Sequence, residues 1–321
     1  MFKSKFSGRG ALRGGRISEV YASLTEEDKN KNQKESESLL ALFVSLLKNM
    51  TDRTSREEIL GELMALRAEY IIRHAIDGFK MDVDEALQLL KNTDDNNLTK
   101  GDIEKRDRLV AMVNNLTEFA VCEEYQMYKD VLAANPNIYD DEIDFNDEDA
   151  MEPYYEICNR YNSTYATVEN EDAAYAMSIA AMWLWCSPNT YLTYMTQNDD
   201  RVRPWHYALQ GFTARRDDFP AWMIPPIEWG CRCFLMSESG DIIASGDKVK
   251  QVQVGKPLDA LAVKASFDVP EKPSQLDNIF SESVAKCGRI FGKSHPYFKV
   301  AKADKTKLKE YVENIRKQYY G

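Results

Sequence analysis

The residues of this chain best equipped for chemistry fall between positions 199 and 233. There His206, Cys231 and Cys233 accompany the carboxylates Asp199, Asp200, Asp217 and Asp218 and the arginines Arg201, Arg203 and Arg232. One histidine and two cysteines are soft ligands, and with Asp217 or Asp218 as a fourth they would suit a structural zinc ion. A single Cys-x-Cys is a poorer clamp than paired Cys-x-x-Cys motifs, however, and only one histidine lies nearby. The sequence therefore favours a structural role, with no metal or other cofactor expected and structural zinc kept as the alternative. In an extended segment Cys231 and Cys233 project to one face and Arg232 to the other. From there Arg232 can fork onto Asp199, Asp200, Asp217 or Asp218 as a bidentate pair. Pro204 fixes its own φ and biases Arg203 toward extended geometry, which builds a rigid turn.

Other reactive constellations are missing from the sequence. It contains no Gly-x-x-x-x-Gly-Lys-Ser/Thr loop, no Gly-x-Ser-x-Gly elbow and no His-Glu-x-x-His. With His74, His206 and His295 as its only histidines, it is poorly supplied for a Ser-His-Asp or Cys-His site, and His74 is expected at a surface or core edge. The chain is not expected to be an enzyme. The acidic run Asp140–Asp149 lacks the glycine and terminal glutamate of a calcium loop and reads as a solvated linker.

Composition bounds the rest. A chain of 321 residues with 44% hydrophobic side chains can bury two cores of ordinary size. A formal net charge of -11 and a pI near 5.0 argue against coating nucleic acid, which draws on Lys and Arg. The exception is the first sixteen residues, where Lys3, Lys5, Arg9, Arg13 and Arg16 stand among glycines without an acid, a weak sign of nucleic-acid contact. No apolar run is long enough to cross a membrane and no h-region follows the basic start, so residence in the cytoplasm of the producing cell is expected. Six cysteines at irregular spacing are expected as reduced thiols.

The elements that must position these groups are mostly helical. Leu39, Leu42, Phe43, Leu46 and Leu47 fall on one face of a helix over 34–48, and Thr54-x-x-Glu57 reads as a capping box opening a second. A short helix over 82–90 and a long one over 100–133 follow. Helical patterning resumes from 151 to 185, where Ala173, Ala174, Ala176, Ala180 and Ala181 permit close packing. Residues 200–229 read as a long ordered loop, 231–236 with 242–244 as a hairpin, and 249–254 as a third strand. From Asp304 a final helix sets Leu308, Tyr311, Val312, Ile315 and Tyr319 on one stripe.

The motifs themselves point further. Asp200-Arg201-Val202-Arg203-Pro204-x-His206, followed at Gly211 and then by Pro225-Pro226-x-x-x-Gly230-Cys231-Arg232-Cys233, resembles the signature of the phage Mu F-like minor head proteins, a family of head morphogenesis proteins of tailed phages. The helical run from Tyr161-Asn162-Ser163-Thr164, the approach through Tyr191, Tyr194 and Thr196, and Ser294-His295-Pro296-Tyr297-Phe298 are similar to it as well. Some relatives carry Cys-x-x-Cys where this chain has Arg203-Pro204-Trp205-His206, so the resemblance does not carry a metal with it.

The resemblance implies an α+β, predominantly α-helical protein in which an N-terminal helical domain precedes a Mu F-like module of long helices with a small β-hairpin or sheet. The expected organisation is a basic Gly-rich arm (1–16), a helical domain (17–135), an acidic linker (136–150), the head morphogenesis domain (151–300) and a basic C-terminal helix (301–321). The implied role is that of a minor capsid protein in the capsid interior or at the portal vertex of the virion, assembled in the host cytoplasm. Portal, capsid or scaffold proteins are its implied partners, with packaged DNA a further one and an influence on DNA packaging or ejection. Two rivals stand beside it: a toxin or transferase-type enzyme carried on the same module, and a non-viral helical adaptor.

Overall fold

The computed structural model describes residues 25–140, 143–237, 242–243, 266–273, 280, 283–300 and 303–320. Among these, the helix starts are written largely by local capping signals. Helix α1 (Glu26–Lys48) starts at Thr25, whose side chain and that of Asp28 satisfy each other's free backbone amides. It buries Leu39, Phe43, Leu46 and Leu47. Helix α2 (Arg53–Gly78) begins one residue before the expected Thr54 box. The Asp52 carboxylate takes the amides of Thr54 and Ser55 instead, while Glu57 turns outward to Arg53 at 3.1 Å and Lys307 at 3.0 Å. A carboxylate is the stronger acceptor at a positively polarised helix start, so Asp52 displaces the hydroxyl.

Helix α3 (Val83–Lys91) is capped by Asp82, and α4 (Lys100–Ala134) follows a reciprocal Thr99 and Asp102 pair. The acidic run does local work. Its Asp147 caps helix α5 (Glu148–Asn159), and Glu148 and Asp149 sit in the first turn, where the macrodipole favours them. The helical run expected through residue 185 contains a π-helical segment, Arg160–Tyr165, before α6 (Ala166–Trp185). It turns Tyr161 and Asn162 inward, where the Tyr161 hydroxyl donates to Asp130 at 2.9 Å.

The chain groups into two compact units that do not follow chain order. Helices α2, α4 and α6 contribute to both. One unit joins His74–Asn115 with Glu171–His295, and the other joins the described residues before His74 with Leu116–Asn170 and the residues from Pro296 onward.

In the second of these, the helical unit, the last helix (Lys305–Tyr320) buries Leu308, Val312, Ile315 and Tyr319 as the stripe requires. Its core also holds an arginine. Arg67 is wholly buried, with Nε 2.9 Å from Glu123, Nη2 2.7 Å from Glu169 and Nη1 donating to Asn170 at 2.9 Å. Beside them the buried Glu124 accepts from Asn162 at 3.4 Å. Burial first, and the charge of Glu123 second, push Glu124 and Glu169 well above the ordinary carboxylate range against the pull of Arg67.

The other unit carries the sheet. Strand β1 (Tyr191–Met195) is central, pairing antiparallel with β2 (Thr213–Arg215) on one side and β3 (Phe234–Ser237) on the other, and β3 continues to β4 (Ile242–Ile243) in the order β2-β1-β3-β4. The β3–β4 hairpin lies where the sequence predicts it. The region 200–229 is not all loop, since it supplies β2, a short helix α7 (Pro204–Tyr207) and a 3₁₀ turn at Ala221–Met223. The expected strand over 249–254 lies outside the described residues. Leu192, Tyr194, Phe234 and Met236 pack with Ile179, Trp183, Phe212 and Phe219 in one apolar cluster. Each such side chain taken wholly out of water contributes on the order of 1.5–3 kcal/mol. Close approach is built in at Gly78, where an added Cβ would lie 2.0 Å from the carbonyl oxygen of Ala174 on α6.

Candidate functional site

The signature residues surround the short helix α7. Arg203 is its cap and Pro204 its first residue, a place where the missing amide costs nothing. Two turns deeper in the chain the backbone must leave the right-handed region. Gly211 has φ 88° and donates its amide to Tyr194 at 2.9 Å, while Gly230 has φ 63° and donates to the buried carboxylate of Asp172 at 2.7 Å. Glycine adopts such values without steric penalty. Pro225 and Pro226 are buried and joined by a cis peptide, and they lead the chain from the Ala221–Met223 turn to Glu228.

From this frame Arg232 and the flanking cysteines diverge. Cys231 and Cys233 are 1% and 3% exposed, within the apolar cluster, whereas Arg232 turns outward and clasps Asp199 with two bonds of 2.8 and 2.6 Å. Of the four acids considered, Asp199 is the one that meets it. Asp199 also faces Arg201 at 3.4 Å, and the Arg232 guanidinium holds its carboxyl below the usual range. Asp200 and Pro204 are exposed. So are Asp217 and Asp218, and Asp217 is engaged by its neighbour Arg216 at 2.9 and 3.0 Å. The fourth ligand considered from the sequence is thus absent from the buried site, because β2 ends at Arg215 and carries both acids to the surface.

His206 is 1% exposed and points Nδ1 at both sulfurs, 3.2 Å from Cys233 and 4.0 Å from Cys231. One ligand atom from each of the three residues lies within 4.8 Å of the others, a grouping that could hold a metal ion. The opposite nitrogen, Nε2, lies 3.4 Å from a Glu228 oxygen, and the same oxygen is 2.6 Å from Nε of Arg203. Arg203 is fixed in turn by a 2.5 Å bond from Nη2 to the carbonyl of Trp229. Glu228 was not among the sequence candidates. Its signal was its place five residues before Cys233 in a segment otherwise apolar, Ile227-Glu228-Trp229-Gly230.

The electrostatics of the cluster are uneven. Burial alone would keep His206 neutral, but Cys231 and Glu228 outweigh it and raise its affinity for a proton. Cys231 is held below the ordinary thiol range by Cys233 and His206 against its burial, while burial and the charge of Cys231 push Cys233 up. Tyr175 donates its hydroxyl to the Cys233 carbonyl, and the wholly buried Tyr194 hydroxyl has no hydrogen-bond partner among the described residues. A nucleophilic cysteine needs access to its substrate, and neither sulfur has it here.

The other sequence candidates fall elsewhere. Lys3, Lys5, Arg9, Arg13 and Arg16 lie outside the described residues. His74 is buried in a helix, not at a surface. Among the described residues no helix is long and apolar enough to cross a membrane.

Comparison with known proteins places the same segment. Residues 155–236 match the family described as Phage Mu protein F like protein. Over 45 residues the chain is 51% identical to a curated protein of Haemophilus influenzae, the Mu-like prophage FluMu F protein, a match spanning 13% of this chain and 11% of that protein. No solved structure matches.

Proposed function

We propose that this chain is a minor head protein of a tailed phage or prophage, acting in head morphogenesis close to the portal. The observation that carries the reading is the coincidence of the family match over 155–236 with one interlocked site, in which Asp199, Arg203, His206, Glu228, Cys231, Arg232 and Cys233 hold each other in place. Such a site fixes the shape of a loop-rich module whose described residues form one sheet of four short strands. The work of the module is contact, not turnover, a reading supported by the burial of both sulfurs and the imidazole.

Portal and capsid or scaffold proteins are the partners in this reading, and the virion, at the portal vertex or capsid interior, is its place. The basic residues Lys3, Lys5, Arg9, Arg13 and Arg16 would meet packaged DNA or an acidic protein surface, since both offer dense negative charge. The test is to purify procapsids and mature virions from the producing strain and quantify this chain in each. Low-copy presence, with copurification of portal protein surviving moderate salt, is the expected result. Its uniform absence from both particles would falsify the reading.

A further inference from the structure

The cluster of His206, Cys231 and Cys233 presents a physical conflict when left to itself. A histidine and two thiols occupy an apolar core at 1–3% exposure, and both sulfurs converge on the same imidazole nitrogen. Burying polar groups without full compensation is costly. The opposite ring nitrogen nonetheless faces a carboxylate: Nε2 lies 3.4 Å from a Glu228 oxygen, Arg203 Nε lies 2.6 Å from the same oxygen, and Arg203 Nη2 donates to the Trp229 carbonyl. Metal-bound histidines characteristically donate their second nitrogen to a carboxylate, which fixes the ring and increases its basicity toward the ion. A Cys-His-carboxylate catalytic reading would leave one of the two sulfurs without purpose and both without access.

We propose that Nδ1 of His206 and the sulfurs of Cys231 and Cys233 bind a single structural zinc ion, with Glu228 as the positioning residue behind the histidine. Two thiolates and an imidazole are soft-to-borderline donors that suit zinc over magnesium or calcium. Tyr194 is wholly buried in the same apolar cluster, and its hydroxyl has no hydrogen-bond partner among the described residues. The ion would tie α7 to the start of β3. This inference stands apart from the role in the head, since a zinc site would serve any use of the module.

The test uses the full chain purified under reducing conditions without chelator. Elemental analysis should find about one zinc per chain, and Cys122→Ser, which alters a buried cysteine outside the cluster, should retain it. Cys231→Ser, Cys233→Ser and His206→Ala should each lose it. Because these variants can fail to fold, the wild-type chain is also stripped with chelator and titrated with cobalt(II). Saturation at one equivalent, with thiolate-to-cobalt charge-transfer absorption and a rise in Tm, is the expected outcome. Glu228→Gln should bind the ion about 10- to 100-fold more weakly while keeping the stoichiometry. The proposal is overturned if the folded wild-type chain neither carries nor takes up metal. It is equally overturned if metal binds without thiolate absorption, or if mass spectrometry finds Cys231 and Cys233 joined as a disulfide in freshly purified protein.

Discussion

Arg232 and Asp199 meet through two parallel hydrogen bonds of 2.8 and 2.6 Å across thirty-three positions of sequence, and Gln197 binds the Arg232 carbonyl at 2.9 Å from the same loop. The pair is about four-fifths shielded from water on both sides, so its geometry is worth more than that of a surface bridge. Arg232→Ala leaves Asp199 half-buried with only Arg201 beside it. We expect a loss of about 1–3 kcal/mol, measured by urea unfolding of the full chain. An unchanged midpoint would count against a structural role for the fork.

Arg67 offers a sharper contrast. Its replacement by Met strands Glu123 and Glu169 inside the helical unit and should cost about 3–5 kcal/mol. Adding Glu123→Gln and Glu169→Gln to Arg67→Met should return part of that loss, because the uncompensated carboxylates are then gone. If Arg67→Met unfolds at the same denaturant concentration as the wild type, the network contributes nothing.

The two charge clusters predict opposite pH dependences. Glu124 and Glu169 have folded values raised above the unfolded range of about 4.3, so their contribution is full below that range and is lost as pH rises through the raised values. Asp199 is depressed by Arg232, so its contribution is full above the unfolded value of about 3.9 and is lost as pH falls through the depressed one. Urea midpoints collected across pH should show Glu124→Gln flattening the decline on the higher-pH side and Asp199→Asn flattening it on the acid side. The same pH profile for both variants and wild type would refute the assignment.

Gly78→Ala tests the close approach to α6. A Cβ placed 2.0 Å from the Ala174 carbonyl oxygen meets backbone, which cannot rotate aside, so the helices must shift. A fall in Tm of several degrees, equivalent to about 1–3 kcal/mol, is expected by thermal melting. Gly101→Ala, whose added Cβ would find only ordinary van der Waals contact with Thr99, serves as the control and should not fall.

Local patterning by itself determined the helices. Stripes such as Leu39, Phe43 and Leu46 or Leu308, Val312 and Ile315 repeat at 3.6 residues, and the period is a property of the segment alone. The β3–β4 hairpin and the divergence of Arg232 from its flanking cysteines were legible for the same reason, since alternation is local. Arg67 could have been noticed too, because it stands in the apolar series Leu60, Leu63, Met64, Ile71, where an arginine must find a buried partner. Which acids it meets, Glu123 and Glu169, only the tertiary structure decided. So it was with the central place of β1, the pairing of β2 inside an apparent loop, the choice of Asp199 among four acids, and the meeting of His206 with cysteines twenty-five and twenty-seven positions away. These are long-range pairings whose partners share no period, and they are selected by which side chains the finished packing brings within reach.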